Sequence, residues 1–596
     1  ITVNGKFVAP LLEFEEGDDA VIRVHNKLKN QDSSIHWHGL ILPGIMDGVP
    51  GFNQFDGIAP NKTYEYKFKV RQNGTYWYHS HSKGQEQDGL YGPLVIYPKN
   101  KVPLTAGEKA DRDYVVLLSD FHNSTSGQIM SNLKKEADYY QNRRETVFDV
   151  FKQIKRDGLK ATWQDRSMWN QMRMLKTDMS DVTNYTFLMN GKTPEQNWTG
   201  NFKAGEKVRL RFINASAMSF FDVRIPNLKM TVVSADGQPV KPVPVDEFRI
   251  GTAETYDVIV EPKQANYQIE AESIDRSGFS VGTLHDENTK PVKNIVMPKP
   301  RPRSLLTMED MGMDHDMSSM KGMDHDMSSM KSESKDQSMS GMDHDMSSMK
   351  GMDHDMSSMK SDSKEQSMPG MDHDMSSMKG MDHDMSSMKS DSKDQSMSGM
   401  NHDMSAMNTN TSETSDVVYG WANASTPVGQ RALKYSDLQS LNPQQDTRAP
   451  EREIEIRLGG NMERYIWTIN GKKFNQTEPF KVKYGERIRL KFINDSMMAH
   501  PMHLHGMFMQ LENGQDPSNM PNKHTVIVPP GKTVTTLLTA DELGEWAIHC
   551  HLLYHMSAGM MNKLIVANVD SNGTDMKDVV AQPKTNDKGV NQHAHH

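Results

Sequence analysis

One stretch of sequence recurs three times along the 596-residue chain and constrains the fold more than any other feature. Each copy begins with glycine and an acidic residue, alternates apolar and polar residues, and ends on asparagine nine positions after the glycine. An Asn-Gly turn lies upstream of each, and alternation bounded by such turns is typical of β-strands that face a core. The sequence therefore predicts an all-β fold of three related Greek-key β-sandwich domains. The copies run from Gly17 to Asn26, from Gly205 to Asn214 and from Gly485 to Asn494.

A second repeat, with a period of 29 residues, fills positions 308–407 and has the opposite character. This Met-rich segment holds 26 of the 47 methionines and 7 of the 24 histidines, and it has no Leu, Ile, Val, Phe, Trp or Tyr. Ordering the backbone costs about 1–2 kcal/mol per residue, and no repeat unit has an apolar face that would offset this cost. We therefore predict a long disordered segment.

Two interpretations of the Met-rich segment remain open: a solvated linker, or a trap for labile copper. Thioether sulfur is a soft ligand that prefers Cu(I), and imidazole suits both oxidation states of copper. The aspartates between them raise the local concentration of cations. The candidate ligands in the Met-Asp-His-Asp-Met units are Met313, His315, Met317, Met342, His344, Met346, Met371, His373 and Met375.

The acidity of the chain belongs to the Met-rich segment alone. Its 21 acidic residues and 9 lysines give −12, whereas the whole chain carries −10, which leaves about +2 for all other residues. This near-neutral remainder has no basic patch, which argues against nucleic acid as a partner. No run of 18 apolar residues occurs, so that a membrane-spanning segment is not expected. A single cysteine excludes a disulfide framework.

These features divide the chain into five predicted regions. A stretch with helical spacing interrupts the second domain and predicts a small helical insertion at about 124–176. The regions are a first sandwich domain at 1–105, a second at 106–303, the Met-rich segment at 304–416, a third domain at 417–570 and a polar tail at 571–596.

Four His-x-His pairs stand at matched positions in the first and third domains. Alternate residues of a strand point to the same side, so each pair places two imidazoles on one face. If the two domains face each other, eight imidazoles converge with pseudo-twofold symmetry. The middle domain has the repeated strand sequence but lacks these His-x-His pairs, so we expect it to have the same fold without the candidate metal ligands. The pairs are His36 and His38, His79 and His81, His503 and His505, and His549 and His551.

A second set of candidate metal ligands surrounds the single cysteine, Cys550. His500 and His555 supply two imidazoles, and Met560 follows as a thioether. Two imidazoles, a thiolate and a distant thioether are the ligand set of a blue electron-transfer copper. A lone buried cysteine is ordinarily an inert small hydrophobe, but this one lies between the two histidines of the fourth pair. The three consecutive residues would join the two sites covalently.

The motifs HWHG, HSH, HPMHLHG and HCHLLYHMSAGM, in this order, resemble those of the multicopper oxidases. The contexts HWHGLILPGIMDGVPG and NGTYWYHSHSKGQEQDGLYG, together with the Met-rich segment, resemble the bacterial copper-resistance oxidases of that family. The resemblance runs from residue 1 to about 567. It implies three cupredoxin-like domains with a trinuclear copper cluster between the first and the third.

The resemblance also implies four copper ions and a reaction. The type 1 copper would take His500, Cys550 and His555, with Met560 as a weak axial ligand. Substrate would lose one electron there, the electron would pass through Cys550, and the cluster would reduce O2 to water with four electrons. The type 2 copper would take His36 and His503, and the two type 3 coppers would take His38, His79, His81, His505, His549 and His551.

Reduction of O2 to water needs protons, and the resemblance points to one acid. Asp47, just after HWHG, matches the acid that relatives use near the type 2 copper, and a surface salt bridge is the alternative reading. Several relatives have a second acid directly after the last type 1 histidine, where this chain has Met556. A second relay must then come from water or from a residue elsewhere.

Three functions remain open. Methionines crowd the type 1 motifs, and those near an exposed edge of His500 or His555 would dock Cu(I), although others fill the core. Oxidation of Cu(I) is therefore the first hypothesis. Laccase-like oxidation of phenols is the second hypothesis, and an open cavity over His555 would support it. Copper sequestration with slow oxidation is the third. The methionines are Met497, Met498, Met502, Met507, Met509, Met556 and Met561.

The resemblance implies a periplasmic enzyme, although a signal segment is absent from this chain. We expect a monomer that uses O2 and either Cu(I) or a phenol.

Overall fold

A computed structural model of the chain describes residues 1–141, 146–171, 179–307, 310, 417–421 and 424–568. Apart from Asp310, residues 308–407 of the Met-rich segment, with the nine candidate copper ligands, lie outside the described residues, as does the polar tail. The described part consists mainly of β-strands, which confirms the predicted fold class.

The first domain is a small β-sandwich that carries two of the His-x-His pairs. A four-stranded sheet has the order β1-β6-β5-β3, and β2 pairs with β4. Aromatic side chains such as Trp37 and Tyr66 fill the core between them. The strands are β1 Leu12–Glu15, β2 Asp19–His25, β3 His36–His38, β4 Thr63–Lys69, β5 Gly74–His79 and β6 Tyr91–Tyr97.

The second domain has a six-stranded sheet, β13-β12-β15-β10-β7-β8, and a five-stranded sheet, β14-β11-β16-β17-β9. Three helices, α1 Ser126–Lys135, α2 Val147–Asp157 and α3 Leu159–Gln171, lie within the predicted helical insertion. The strands are β7 Arg112–Phe121, β8 Thr186–Met189, β9 Trp198–Phe202, β10 Val208–Asn214, β11 Phe221–Arg224, β12 Met230–Ala235, β13 Gln238–Val245, β14 Glu247–Ile250, β15 Thr255–Val260, β16 Asn266–Ser273, β17 Phe279–Asp286 and β18 Arg303–Leu305.

The third domain repeats this plan, with sheets in the orders β21-β20-β23-β28-β25-β26 and β22-β30-β29-β24-β27. One short helix, α4 Leu553–Ser557, follows β29. The strands are β19 Val417–Tyr419, β20 Arg452–Asn461, β21 Ile466–Ile469, β22 Phe480–Lys483, β23 Arg487–Asn494, β24 His500–Leu504, β25 Met509–Leu511, β26 Asn522–Lys523, β27 Thr525–Val528, β28 Thr533–Thr539, β29 Gly544–Cys550 and β30 Met561–Ala567.

The thrice-repeated sequence forms the equivalent strands β2, β10 and β23, as predicted. Its first residue has φ between +81° and +97° in all three copies, a backbone conformation that strongly favours glycine. Its last residue donates hydrogen bonds from the side-chain amide to main-chain carbonyls of its own domain, which explains why each copy ends on asparagine. These bonds join Asn26 to Gln31 and Ile58, Asn214 to Ser219 and Ile250, and Asn494 to Met498 and Val528.

The strands on either side of the Met-rich segment lie next to each other. β18 pairs with β19 in parallel, with Arg303 opposite Val417. No helix of the described residues is long and apolar enough to cross a membrane.

Candidate metal centre

The four His-x-His pairs converge at the contact between the first and third domains. β3 pairs with β5, and β24 pairs with β29, so that His36 lies opposite His79 and His503 lies opposite His549. Across the contact, the rings of His36 and His505 stack at 3.8 Å, and those of His38 and His503 stack at 3.7 Å. These two matching stacks give the pseudo-twofold arrangement that the spacing predicted.

The eight imidazoles fall into sets whose ligand atoms lie within 4.8 Å of one another. Each set mixes residues of the first and third domains, so that neither domain alone can form one. Seven of the eight side chains are buried and His81 is half-buried. The sets are His36 with His38 and His503, His38 with His79 and His551, and His81 with His505 and His549.

The outer nitrogens of several imidazoles are held by main-chain carbonyls. Nδ1 of His36 lies 2.8 Å from the carbonyl of Asp47, and Nδ1 of His503 lies 2.8 Å from that of His524. Their Nε2 atoms face inward and have no hydrogen-bond partner among the described residues. A buried polar atom left unpaired costs about 1–3 kcal/mol, whereas a metal ion would use the lone pair on each. The donor set therefore fits a metal that binds imidazole, such as copper.

Burial sets the protonation of the cluster. Removal from water, reinforced by neighbouring imidazoles, lowers the pKa of most of these side chains well below the ordinary value, and it lowers the pKa of His549 to about 3. The imidazoles with a lowered pKa are then neutral at physiological pH, which is the form that binds metals. The other side chains with a strongly lowered pKa are His38, His81, His503, His505 and His551.

A second, mononuclear site is formed by His500, Cys550 and His555, which are fully buried. The thiol Sγ lies 3.5 Å from Nδ1 of His500 and 3.7 Å from Nδ1 of His555, and these two nitrogens are 3.1 Å apart. Met560 is also buried, and its carbonyl accepts a hydrogen bond from the main-chain N–H of Cys550. Its own N–H donates to the carbonyl of His555. Burial raises the pKa of the thiol, so a thiolate here needs a bound cation to stabilise it.

The Nε2 atoms of His500 and His555 in the mononuclear site also have hydrogen-bond partners. Nε2 of His500 lies 2.7 Å from Oγ of Ser496, and Nε2 of His555 lies 2.6 Å from Oδ2 of Asp181. Only the Nδ1 atoms therefore remain to bind a metal together with the thiol. Because Cys550 follows His549 and precedes His551, the peptide chain joins this site directly to the cluster.

Asp47 is buried at the cluster and is not part of a surface salt bridge. Its Oδ2 lies 2.8 Å from Nδ1 of His505, and its Oδ1 lies 3.3 Å from Nδ1 of His36. A sharp turn places it there: Gly48 has φ of +76°, and a side chain at Gly48 would collide with the carbonyl of Ile35. Asp47 thus connects imidazoles of two domains.

Sequence reasoning did not single out several residues that the structure places at these sites. Asp181 reaches the mononuclear site from the second domain, and Glu86 lies 3.0 Å from His79. Thr525 lies 3.3 Å from Nε2 of His38, and the ring of His524 lies 4.6 Å from that of His38. Glu86 stands within a quoted motif and could have been considered, whereas no spacing or local motif indicates Asp181.

Most of the methionines around the type 1 motifs are core residues. Met556 is half-buried, and the others are buried, which favours packing over docking of a substrate ion for them. The buried methionines are Met497, Met498, Met502, Met507, Met509 and Met561.

The chain matches the multicopper oxidase family over residues 1–101, 112–289 and 447–570. It is 48% identical to copper resistance protein A of Escherichia coli over 570 residues, which cover 95% of this chain and 89% of that protein. It is 49% identical to copper resistance protein A of Pseudomonas syringae pv. tomato over 577 residues, with the same coverage. Its fold is similar to that of Fet3p, a multicopper oxidase that functions in iron import, with a TM-score of 0.57, 17% identity and coverage of 94% of this chain and 85% of that one.

Proposed function

The chain belongs to the multicopper oxidase family, and from this premise we propose that it oxidises Cu(I) with O2 and thereby serves copper resistance. Four Cu(I) ions, one O2 and four protons would give four Cu(II) ions and two water molecules. Two relatives that carry the name copper resistance protein A support the biological role. The same likeness supports a periplasmic location.

We assign the resident copper ions to the two groups of side chains described above. When bound, they would supply the one-electron redox couples and the O2-binding positions that the side chains themselves lack. His500, Cys550 and His555 would hold the type 1 ion, with Met560 as the axial ligand, and His36 and His503 would hold the type 2 ion. The type 3 pair would be held by His38, His79 and His551 and by His81, His505 and His549. The observation that carries the assignment is the pair of buried, unpartnered Nε2 atoms on His36 and His503.

The polypeptide itself provides the electron route. Cys550 contributes its thiol to the mononuclear site, while its two neighbours in β29 and the following loop point into the cluster. The path between the sites is therefore covalent and short. Burial of both sites keeps water from intercepting the electrons or the partly reduced oxygen.

Asp47 is placed to handle protons in the cluster. Its Oδ1 has no hydrogen-bond partner among the described residues, and it lies between imidazoles of both domains. We propose that Oδ1 takes up and delivers protons during reduction of O2, while Oδ2 holds His505 in place.

The cover over His555 favours Cu(I) over phenols as the substrate. The imidazole of His555 is fully buried, and its outer nitrogen is closed by Asp181, which is itself 2% exposed. The hydroxyl of Tyr465 donates to the same carboxylate oxygen over 2.9 Å. Asp181 prevents a phenol from contacting the imidazole of His555. An electron from a small cation bound outside Asp181 can still reach the imidazole through the hydrogen bond between Asp181 and His555. We propose that the Met-rich segment binds additional labile Cu(I).

Oxygen consumption with Cu(I) and with a phenol, measured side by side, tests the substrate. We expect turnover with Cu(I) to exceed turnover with phenol. Asp181→Ala removes the cover and should raise phenol oxidation, whereas Tyr465→Phe keeps the ring in place and should not. Faster oxidation of phenol than of Cu(I) by the unmodified protein would contradict the proposal, and negligible turnover of both would favour copper sequestration.

A further inference from the structure

Glu86 lies beside the eight-imidazole cluster without any of the roles assigned so far. Its side chain is 2% exposed. Oε2 lies 3.0 Å from Nδ1 of His79, and Oε1 lies 3.9 Å from Nδ1 of His551. His79 belongs to the first domain and His551 to the third, so that one carboxylate faces imidazoles from both.

The two atoms that face each other across 3.9 Å are both unsatisfied. Oε1 of Glu86 and Nδ1 of His551 have no hydrogen-bond partner among the described residues. Unpaired buried polar atoms are rare and need an explanation. The corresponding Nδ1 atoms of His36, His79, His503 and His549 each lie 2.8 or 2.9 Å from a main-chain carbonyl. Nδ1 of His551 makes no such hydrogen bond among the described residues, and the carboxylate of Glu86 faces it.

The inner nitrogens determine which tautomer is needed. Nε2 of His551 and Nε2 of His79 lie 3.4 Å apart and face the same point. Both Nε2 atoms must be free of protons to bind a metal, so each Nδ1 must carry one. The carboxylate would share the Nδ1–H of His79 with the carbonyl of Ser80. At His551 it would be the acceptor that fixes the tautomer and the ring orientation, and it would make both imidazoles stronger ligands.

Asp47 shows the same design on another side of the cluster. It also comes from the first domain, and its two oxygens face His36 of that domain and His505 of the third. We propose that Glu86 is a positioning residue that orients His79 and His551, one from each domain, toward a shared type 3 copper. The inference rests on the proposed copper-binding function and gives a role to an acid that is not itself one of the proposed copper ligands.

Glu86→Gln tests the proposal because it preserves shape but leaves one amide NH2 group facing an imidazole N–H. We expect the copper affinity of the type 3 position to fall about 10–100-fold. Copper content and the near-ultraviolet absorption of the type 3 pair should fall, while the blue absorption of the type 1 copper should stay. The unfolding temperature of the copper-free protein should change little.

Glu545→Gln is the matched control. Glu545 accepts the main-chain N–H of Asn53 over 2.8 Å across the same domain contact and pairs with Lys563, but it touches no imidazole. It should load all four coppers. Normal type 3 absorption and copper affinity in Glu86→Gln would overturn the proposal. Absence of type 3 absorption in the unmodified protein would instead overturn the proposed function on which it rests.

A crystal structure of the copper-loaded, unmodified protein gives an independent readout. We expect Oε1 of Glu86 to lie within hydrogen-bond distance of Nδ1 of His551. A separation that stays too long for a hydrogen bond, with copper bound, would overturn the proposal even if Glu86→Gln fails to fold.

Discussion

The mononuclear site and the eight-imidazole cluster are built in different ways. His500, Cys550 and His555 all belong to the third domain, on β24, β29 and α4. The cluster takes four imidazoles from each of two domains. One domain therefore supplies all three of these side chains to the mononuclear site, whereas the cluster requires correct docking of the first domain on the third.

The two sites also differ in which domain supplies the carboxylates that contact their imidazoles. The second domain has no His-x-His pairs, yet it supplies Asp181 to the mononuclear site. The first domain supplies Asp47 and Glu86 to the cluster. The mononuclear site thus depends on a carboxylate from the second domain and the cluster on carboxylates from the first, so that the packing of the three domains affects both sites.

Of the variants considered, Cys550→Ser should show the largest difference between its effects on the two sites. Without the thiolate, the proposed type 1 copper would lose its blue absorption, and the proposed electron route to the cluster would be broken. We expect all oxidase turnover to disappear while the type 3 absorption persists, because no cluster imidazole is changed. Oxygen consumption and the two absorption bands check this, and normal oxidation of Cu(I) by the variant would refute the electron route.

Asp47→Asn should affect the cluster and spare the mononuclear site. An amide at Oδ1 cannot deliver a proton, and general acid catalysis typically contributes about 100-fold or more. Stopped-flow absorbance should show slower reoxidation by O2 and an unchanged rate of type 1 reduction. Equal slowing of both stages would instead indicate a general structural role for Asp47.

The copper-free cluster should make stability depend on pH. Six of its imidazoles have a pKa of about 6.5 in the unfolded chain and a lower pKa in the folded one, which for His549 is about 3. Below pH 6.5 the unfolded chain binds protons that the folded chain does not, so the free energy of unfolding should fall with decreasing pH. Each such group contributes about 1.4 kcal/mol per pH unit in this window. Thermal unfolding of copper-free protein measures it, and stability that rises toward pH 5 would contradict the expected sign.

Replacement of residues 308–407 by a short flexible linker should have the smallest effect on either site. β18 and β19 are paired, so that the strands flanking the segment are already held together. Phenol oxidation should stay nearly unchanged, whereas Cu(I) uptake at low copper should weaken. Identical kinetics of Cu(I) oxidation with and without the segment would indicate that the segment is only a linker.

The convergence of the eight imidazoles could be predicted from the sequence because strand geometry imposes a short-range pattern. Alternation places His36 and His38 on one face, and the matched offsets of the third domain repeat this placement. Asp181 could not be found in this way, since it meets His555 across 374 positions of sequence through domain packing. Composition likewise could not separate packing from binding, and Met502 and Met509 are core residues.

Diffraction from copper-loaded crystals at the copper absorption edge would locate the metal ions themselves. We expect three anomalous peaks among the eight imidazoles and a fourth between His500, Cys550 and His555. A cluster without copper, or copper bound there by other side chains, would contradict this expectation.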